Sequence, residues 1–182
     1  LLVLKDFRLS APLPIAIGLM FAVAPDSVTN RMMTMFDAQD PTNQDRFAMI
    51  EIGARIVADD PLTGVGPNMV PRVYERYRPD YPNARTNSQL LNLPVQITAE
   101  RGLPALAIWA WFVIALAAAL LRLFRGGEQR MLAAAGLAAT AAMVAAGVAE
   151  YNFGDSEFLM LFLVIVTLPF AAANDAAAAT RA

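Results

Sequence analysis

The four longest stretches of this chain without a charged residue lie at 9–25, 103–121, 131–149 and 158–173. The hydrocarbon core of a bilayer, about 30 Å thick, is crossed by about 20 helical residues rising roughly 1.5 Å each. Residues 103–121 and 131–149 come close to that length outright. The first run reaches it by taking in Ser27 and Val28, and the last by taking in its flanks. The expectation is an all-α, polytopic transmembrane helical bundle with spans at about 9–28, 103–123, 131–149 and 158–173. Between the first two spans lies one large loop, about 26–102. The chain is 16% charged, against roughly 25% in an average soluble domain, and its mean hydropathy is +0.46.

The link Lys5-Asp6-Phe7-Arg8 and the link 122–130, with Arg122, Arg125 and Arg130, are short and basic. Such links stay in the cytoplasm, which puts the large loop and the short turn 150–157 outside. Loops longer than about 60 residues are exempt from the charge rule, so the arginines of the large loop do not count against this. The opening Leu1-Leu2-Val3-Leu4 reads as the tail of a further membrane helix. The chain is therefore expected to be a single membrane domain, the C-terminal part of a larger protein. Glycines 136 and 147 in an Ala-rich span predict close helix packing. The Ala-rich end, 174–182, is expected to fray.

The sequence contains neither cysteine nor histidine. That excludes thiolate zinc sites and removes the commonest general base and metal ligand. A net charge of −2 says nothing about a nucleic-acid partner, and none is expected.

The loop has helices of its own. Asp40-Pro41-Thr42 offers a helix start, residues 43–59 have helical periodicity, and Asp59-Asp60-Pro61 ends them. The turn residues Leu62-Thr63-Gly64-Val65-Gly66-Pro67 follow; without a Walker lysine, they form no nucleotide cradle. A short helix at 69–77 has Pro71 near its start, and Arg78-Pro79-Asp80-Tyr81-Pro82-Asn83 is expected to be irregular. A third helix is expected from about Ser88 to Glu100, bent at Pro94, with Gly102 separating it from the membrane span.

On a helical wheel of about 100° per residue, Glu51, Arg55 and Asp59 share one polar face, and Met49, Ile50, Gly53 and Val57 surround Arg46 on the other. A guanidinium among apolar neighbours either snorkels to headgroups or meets an anion such as a lipid phosphate, which its planar fork fits. Arg55 is placed to pair with Glu51 and Asp59 along its own face. The stretch Arg72-Val73-Tyr74-Glu75-Arg76-Tyr77-Arg78 suits either sugar and headgroup binding or interfacial anchoring. Glu150, Asp155 and Glu157 crowd the second outer turn around Asn152 and Gly154. They could hold a cation, act as a base, or form a solvated turn.

Arg46, then Ile56-Val57-Ala58-Asp59-Asp60-Pro61-Leu62-Thr63-Gly64-Val65-Gly66-Pro67, then an amide-rich helix and Ala99-Glu100-Arg101-Gly102-Leu103-Pro104-Ala105-Leu106, together resemble the bacterial O-antigen ligase/polymerase family. The resemblance extends over nearly the whole chain, including the order of one span, a large loop and three further spans. It implies a GT-C-like membrane glycosyltransferase at the periplasmic face of the inner membrane. The ligases move a polysaccharide from undecaprenyl pyrophosphate to lipid A-core sugar, with no nucleotide sugar, metal or other cofactor. Their ligase motif is a His, an amide or Ser, nine residues, a Gly, two residues, and Gly, Thr or Tyr. Here Leu91 occupies the His position, Asn92 the amide, Gly102 the glycine and Ala105 the last place. A second His common in near relatives falls on Gln89.

The resemblance thus makes Arg46, Gln89 and Asn92 the candidate catalytic residues, with Arg46 steadying the pyrophosphate. A partner Arg is expected upstream. Arg55, Arg72, Arg76, Arg85 and Asn87 are the candidates for holding substrate. Leucine cannot take a proton and glutamine cannot titrate. The departure at Leu91 therefore leaves three readings open: a ligase, a polymerase of the same superfamily, and a non-catalytic binder of the carrier lipid or glycan. The partners implied are the bilayer, an undecaprenyl-pyrophosphate-linked glycan donor and a glycolipid acceptor.

Overall fold

The computed structural model of the protein describes residues 37, 39–80, 84, 89–127 and 129–181, except for the side chains at 177, 180 and 181. The expected first span lies outside them. By contacts the chain divides into two units, Leu1–Asp45 and Arg46–Ala182, and the second holds the features that matter for function. Among the described residues every regular element is helical.

Helix α1, Pro41–Asp59, starts where the sequence suggests. Asp40 caps it, its carboxylate accepting from the Thr42 N–H at 2.8 Å, and Pro41 brings the fixed φ that suits a first helical position. Its buried face carries Ala48, Met49, Ile52 and Ile56. This corrects the wheel. Arg46 does not lie at the centre of the buried face but roughly a quarter-turn to its side. The cause is a second apolar face, for Phe47 and Ile50 point outward, 57% and 38% exposed.

Helix α2, Val70–Tyr77, has Pro71 in its first turn and buries Val70 and Tyr74. Both join the cluster formed by Met49, Ile52 and Ile56. Arg78–Asp80 then makes one 3₁₀ turn where irregular chain was expected; the proline φ falls within the 3₁₀ range, and so short a turn needs little hydrogen bonding.

Helix α3, Leu93–Gly126, is broken at Gly102, with φ 79° and ψ 173°. Residues 89–92 are not helical, so it begins at Leu93, later than expected, and it is not bent at Pro94. Asn92 caps it, and Pro94 sits in the first turn, where a missing N–H is harmless. After Gly102 the chain enters the apolar run, and Pro104 again falls in a first turn. Helix α4, Arg130–Gly147, packs on both α3 and α5, Ser156–Arg181. Its glycines take close neighbours: a Cβ on Gly136 would lie 2.9 Å from the Leu120 side chain, and one on Gly147 2.9 Å from that of Leu93. The Ala-rich tail does not fray at Asn174 but stays helical to Arg181, consistent with alanine being the strongest helix former.

Three of these helical stretches, Leu93–Gly126, Arg130–Gly147 and Ser156–Ala176, are long and apolar enough to cross a membrane. Ile114, Met160, Leu161 and Val164 are each more than half exposed, as side chains facing lipid would be. The fold is that of an all-α helical membrane protein.

Candidate active site

A helix broken at Gly102 leaves carbonyls without partners at one end and N–H groups at the other. The loop after α1 meets part of that need. The Val65 N–H donates to the Ala99 carbonyl at 2.9 Å and the Gly66 N–H to that of Glu100 at 3.0 Å. In return the Leu103 N–H donates to the Pro61 carbonyl at 2.8 Å. The two motif segments, Pro-Leu-Thr-Gly-Val-Gly and Ala-Glu-Arg-Gly-Leu-Pro, are thus one structural unit joined through the backbone.

A second connection fixes the chain just before α3. The Leu90 N–H donates to Gln96 Oε1 at 2.7 Å, Gln96 Nε2 donates to Glu100 Oε1 at 2.8 Å, and Arg101 pairs with Glu100 Oε2 at 3.1 Å. Gln96 and Glu100 are buried, so the carboxylate's desolvation is offset by an amide on one oxygen and a guanidinium on the other. Helix α1 lies directly against this segment: a Cβ on Gly53 would come within 2.3 Å of the Val95 side chain and 2.9 Å of that of Leu90.

These ties place Gln89 and Leu91 beside Arg46. Together with Glu150, Asn152 and Asp155 they line a cavity of about 480 Å³. Arg46 Nε is buried without a hydrogen-bond partner. Asn152 is 8% exposed; its Nδ2 donates to the Met143 carbonyl at 3.0 Å, while its Oδ1 has no partner. A second cavity of about 760 Å³ shares Gln89, Tyr151 and Gly154 with the first and is lined by Trp109, Trp111, Phe112 and Phe153. Trp109 meets Phe153 edge-on at 6.3 Å, and its buried indole N–H is also unpartnered. One chamber is polar and charged; its neighbour is aromatic.

The remaining candidates fall elsewhere. Asn92 lines neither cavity. Its Oδ1 accepts from the Val95 N–H at 3.1 Å and its Nδ2 donates to the Val148 carbonyl at 2.9 Å, so it caps α3 and ties it to the end of α4. Arg55 pairs with Asp80 at 2.9 Å on the surface. Asp59 instead accepts from the Tyr77 hydroxyl, and this hydrogen bond, with burial second, raises the Tyr77 phenol above its ordinary range. Arg72 and Arg76 are exposed on α2 and line neither cavity. Arg85 and Asn87 lie outside the described residues. Among the described residues, Glu150, Asp155 and Glu157 do not gather as a three-ligand metal site.

Sequence reasoning did not place Asn152 or Trp109 at the site. For Trp109 a signal existed: an indole N–H in an otherwise apolar span needs a partner.

A family model described as O-antigen ligase matches residues 1–110. No curated protein matches the chain. The matched stretch is more than half of the sequence and contains Arg46, Gln89, Leu91 and both docked motif segments, and it ends before α4 and the acidic turn. The chain belongs to the O-antigen ligase family.

Proposed function

We propose that the protein transfers a polysaccharide from undecaprenyl pyrophosphate to lipid A-core or a similar glycolipid, at the periplasmic face of the bacterial inner membrane. The observation that carries this reading is the convergence of Arg46, Gln89 and Leu91 on one cavity, next to a chamber lined by Glu100, Arg101 and Ala105 around the break in α3. Arg46, on the cavity wall, brings a guanidinium to the pyrophosphate, whose charge grows as the sugar leaves. Gln89, on the wall between the two chambers, can hydrogen-bond sugar hydroxyls from either side. The aromatic chamber suits the faces of sugar rings and the first isoprene units of the carrier. Asn92 serves as a positioning residue, holding the segment 89–91 in place.

The test is product analysis with the full-length protein in proteoliposomes, supplied with an undecaprenyl-pyrophosphate-linked glycan and a lipid A-core acceptor. The expected product is one glycan joined to the acceptor. Lengthening of the glycan on its carrier lipid would instead identify a polymerase, and donor binding without any product would leave only the binding reading.

A further inference from the structure

In the ligase motif, the position that holds an imidazole is occupied here by Leu91, so the cavity must find its proton acceptor elsewhere or have none. The titratable acids on its wall are Glu150, Tyr151 and Asp155. Asp155 is committed: its Oδ1 accepts from the Glu157 N–H at 3.0 Å and its carbonyl from the Leu159 N–H at 2.9 Å, so it caps α5. Tyr151 lies with its ring packed over Gly154, where a Cβ would come within 2.1 Å of Tyr151 Cε1. Glu150 is exposed to the cavity just past the end of α4, and no hydrogen bond or ion pair among the described residues engages its carboxylate. Arg46 and Gln89 line the same cavity, so the Glu150 carboxylate shares its wall with the guanidinium that the glycan-transfer reading assigns to the pyrophosphate.

We infer that Glu150 is the general base of this protein, replacing the imidazole lost at Leu91. The inference rests on the glycan-transfer reading. The acceptor's O–H bond breaks and its proton passes to a Glu150 carboxylate oxygen. The acceptor oxygen bonds to C1 of the donor's first sugar. The bond from C1 to the pyrophosphate oxygen breaks, and its electron pair leaves with undecaprenyl pyrophosphate, against Arg46. Glu150 then passes the proton to the departing pyrophosphate. Protons and electrons balance without a further reactant. The catalytic carboxylate comes from the α4–α5 turn, beyond the stretch that the family model matches.

The test compares four full-length proteins in proteoliposomes: the parent, Glu150→Gln, Glu150→Gln with Leu91→His, and Glu157→Gln as a control from outside the cavity. Glycan transfer and binding of the undecaprenyl-pyrophosphate donor are both measured. A positioned base contributes about 10²–10⁴-fold. Glu150→Gln is therefore expected to lose at least about 10²-fold in transfer while binding donor as the parent does. Restoring an imidazole at Leu91 in that background should recover at least about tenfold, and Glu157→Gln should match the parent. The assignment is overturned if Glu150→Gln transfers nearly as well as the parent, if it loses donor binding along with transfer, or if Leu91→His fails to rescue it. A parent that transfers nothing overturns the functional reading itself, and this inference with it.

Discussion

Gly64 and Gly102 make room for each other's segments. A Cβ on Gly102 would stand 2.1 Å from the Leu62 carbonyl oxygen, and one on Gly64 would stand 2.4 Å from the Glu100 carbonyl carbon. Both residues also have positive φ, 63° and 79° respectively. Two segments nearly forty residues apart in sequence therefore meet backbone to backbone at the mouth of the membrane, and only glycine fits at either position.

Gly102→Ala is expected to destabilise the protein sharply. The backbone conformation alone costs a non-glycine residue about 1–3 kcal/mol, and the clash with Leu62 adds to that. Gly126→Ala is the matched control, because a Cβ there meets nothing within 4 Å and alanine favours a helix. Thermal unfolding in detergent should show a lowered midpoint for the first variant and an equal or higher one for the second.

Gln96→Leu removes the link between the Leu90 N–H and Glu100. Each buried polar group left unsatisfied costs about 1–3 kcal/mol, and here an N–H and one oxygen of a buried carboxylate lose their partner. Loss of stability and reduced glycan transfer are expected together, because the released segment carries Gln89 and Leu91. Proteolysis near residue 90 should become faster; a variant as resistant and as active as the parent would show that the link does not position the site.

The Tyr77–Asp59 hydrogen bond ties α2 to the end of α1. It raises the phenol's pKa, so the protonated form is the one favoured by folding. The stability it contributes is fully present below the unfolded value of about 10 and is lost as pH rises through the higher folded value. Tyr77→Phe should therefore lower stability at neutral pH, and the gap to the parent should close in alkali. A gap that stayed constant across that range would contradict the assignment.

Much of this architecture was legible because its causes are local. Charge-free runs mark 103–121, 131–149 and most of α5, and turn chemistry marks Gly64 and Gly102. The orientation of α1 was not legible, because Phe47 and Ile50 face outward as Ile52 and Ile56 face inward, and a single wheel averages the two apolar faces. Nor could sequence show that Asn92 spends its amide on Val148, or that Glu150 shares a wall with Arg46. Those pairings join residues more than fifty positions apart, and tertiary packing alone brings them together.

The most direct measurement is the affinity of the full-length protein in nanodiscs for the undecaprenyl-pyrophosphate-linked glycan, with and without Arg46. Hydrogen bonds to a charged group contribute about 1.5–3 kcal/mol, so Arg46→Ala should weaken binding by about 10–100-fold. Arg46→Lys, which keeps the charge but loses the planar fork, should fall between. Donor affinity in Arg46→Ala within twofold of the parent's would contradict the placement of the pyrophosphate in this cavity.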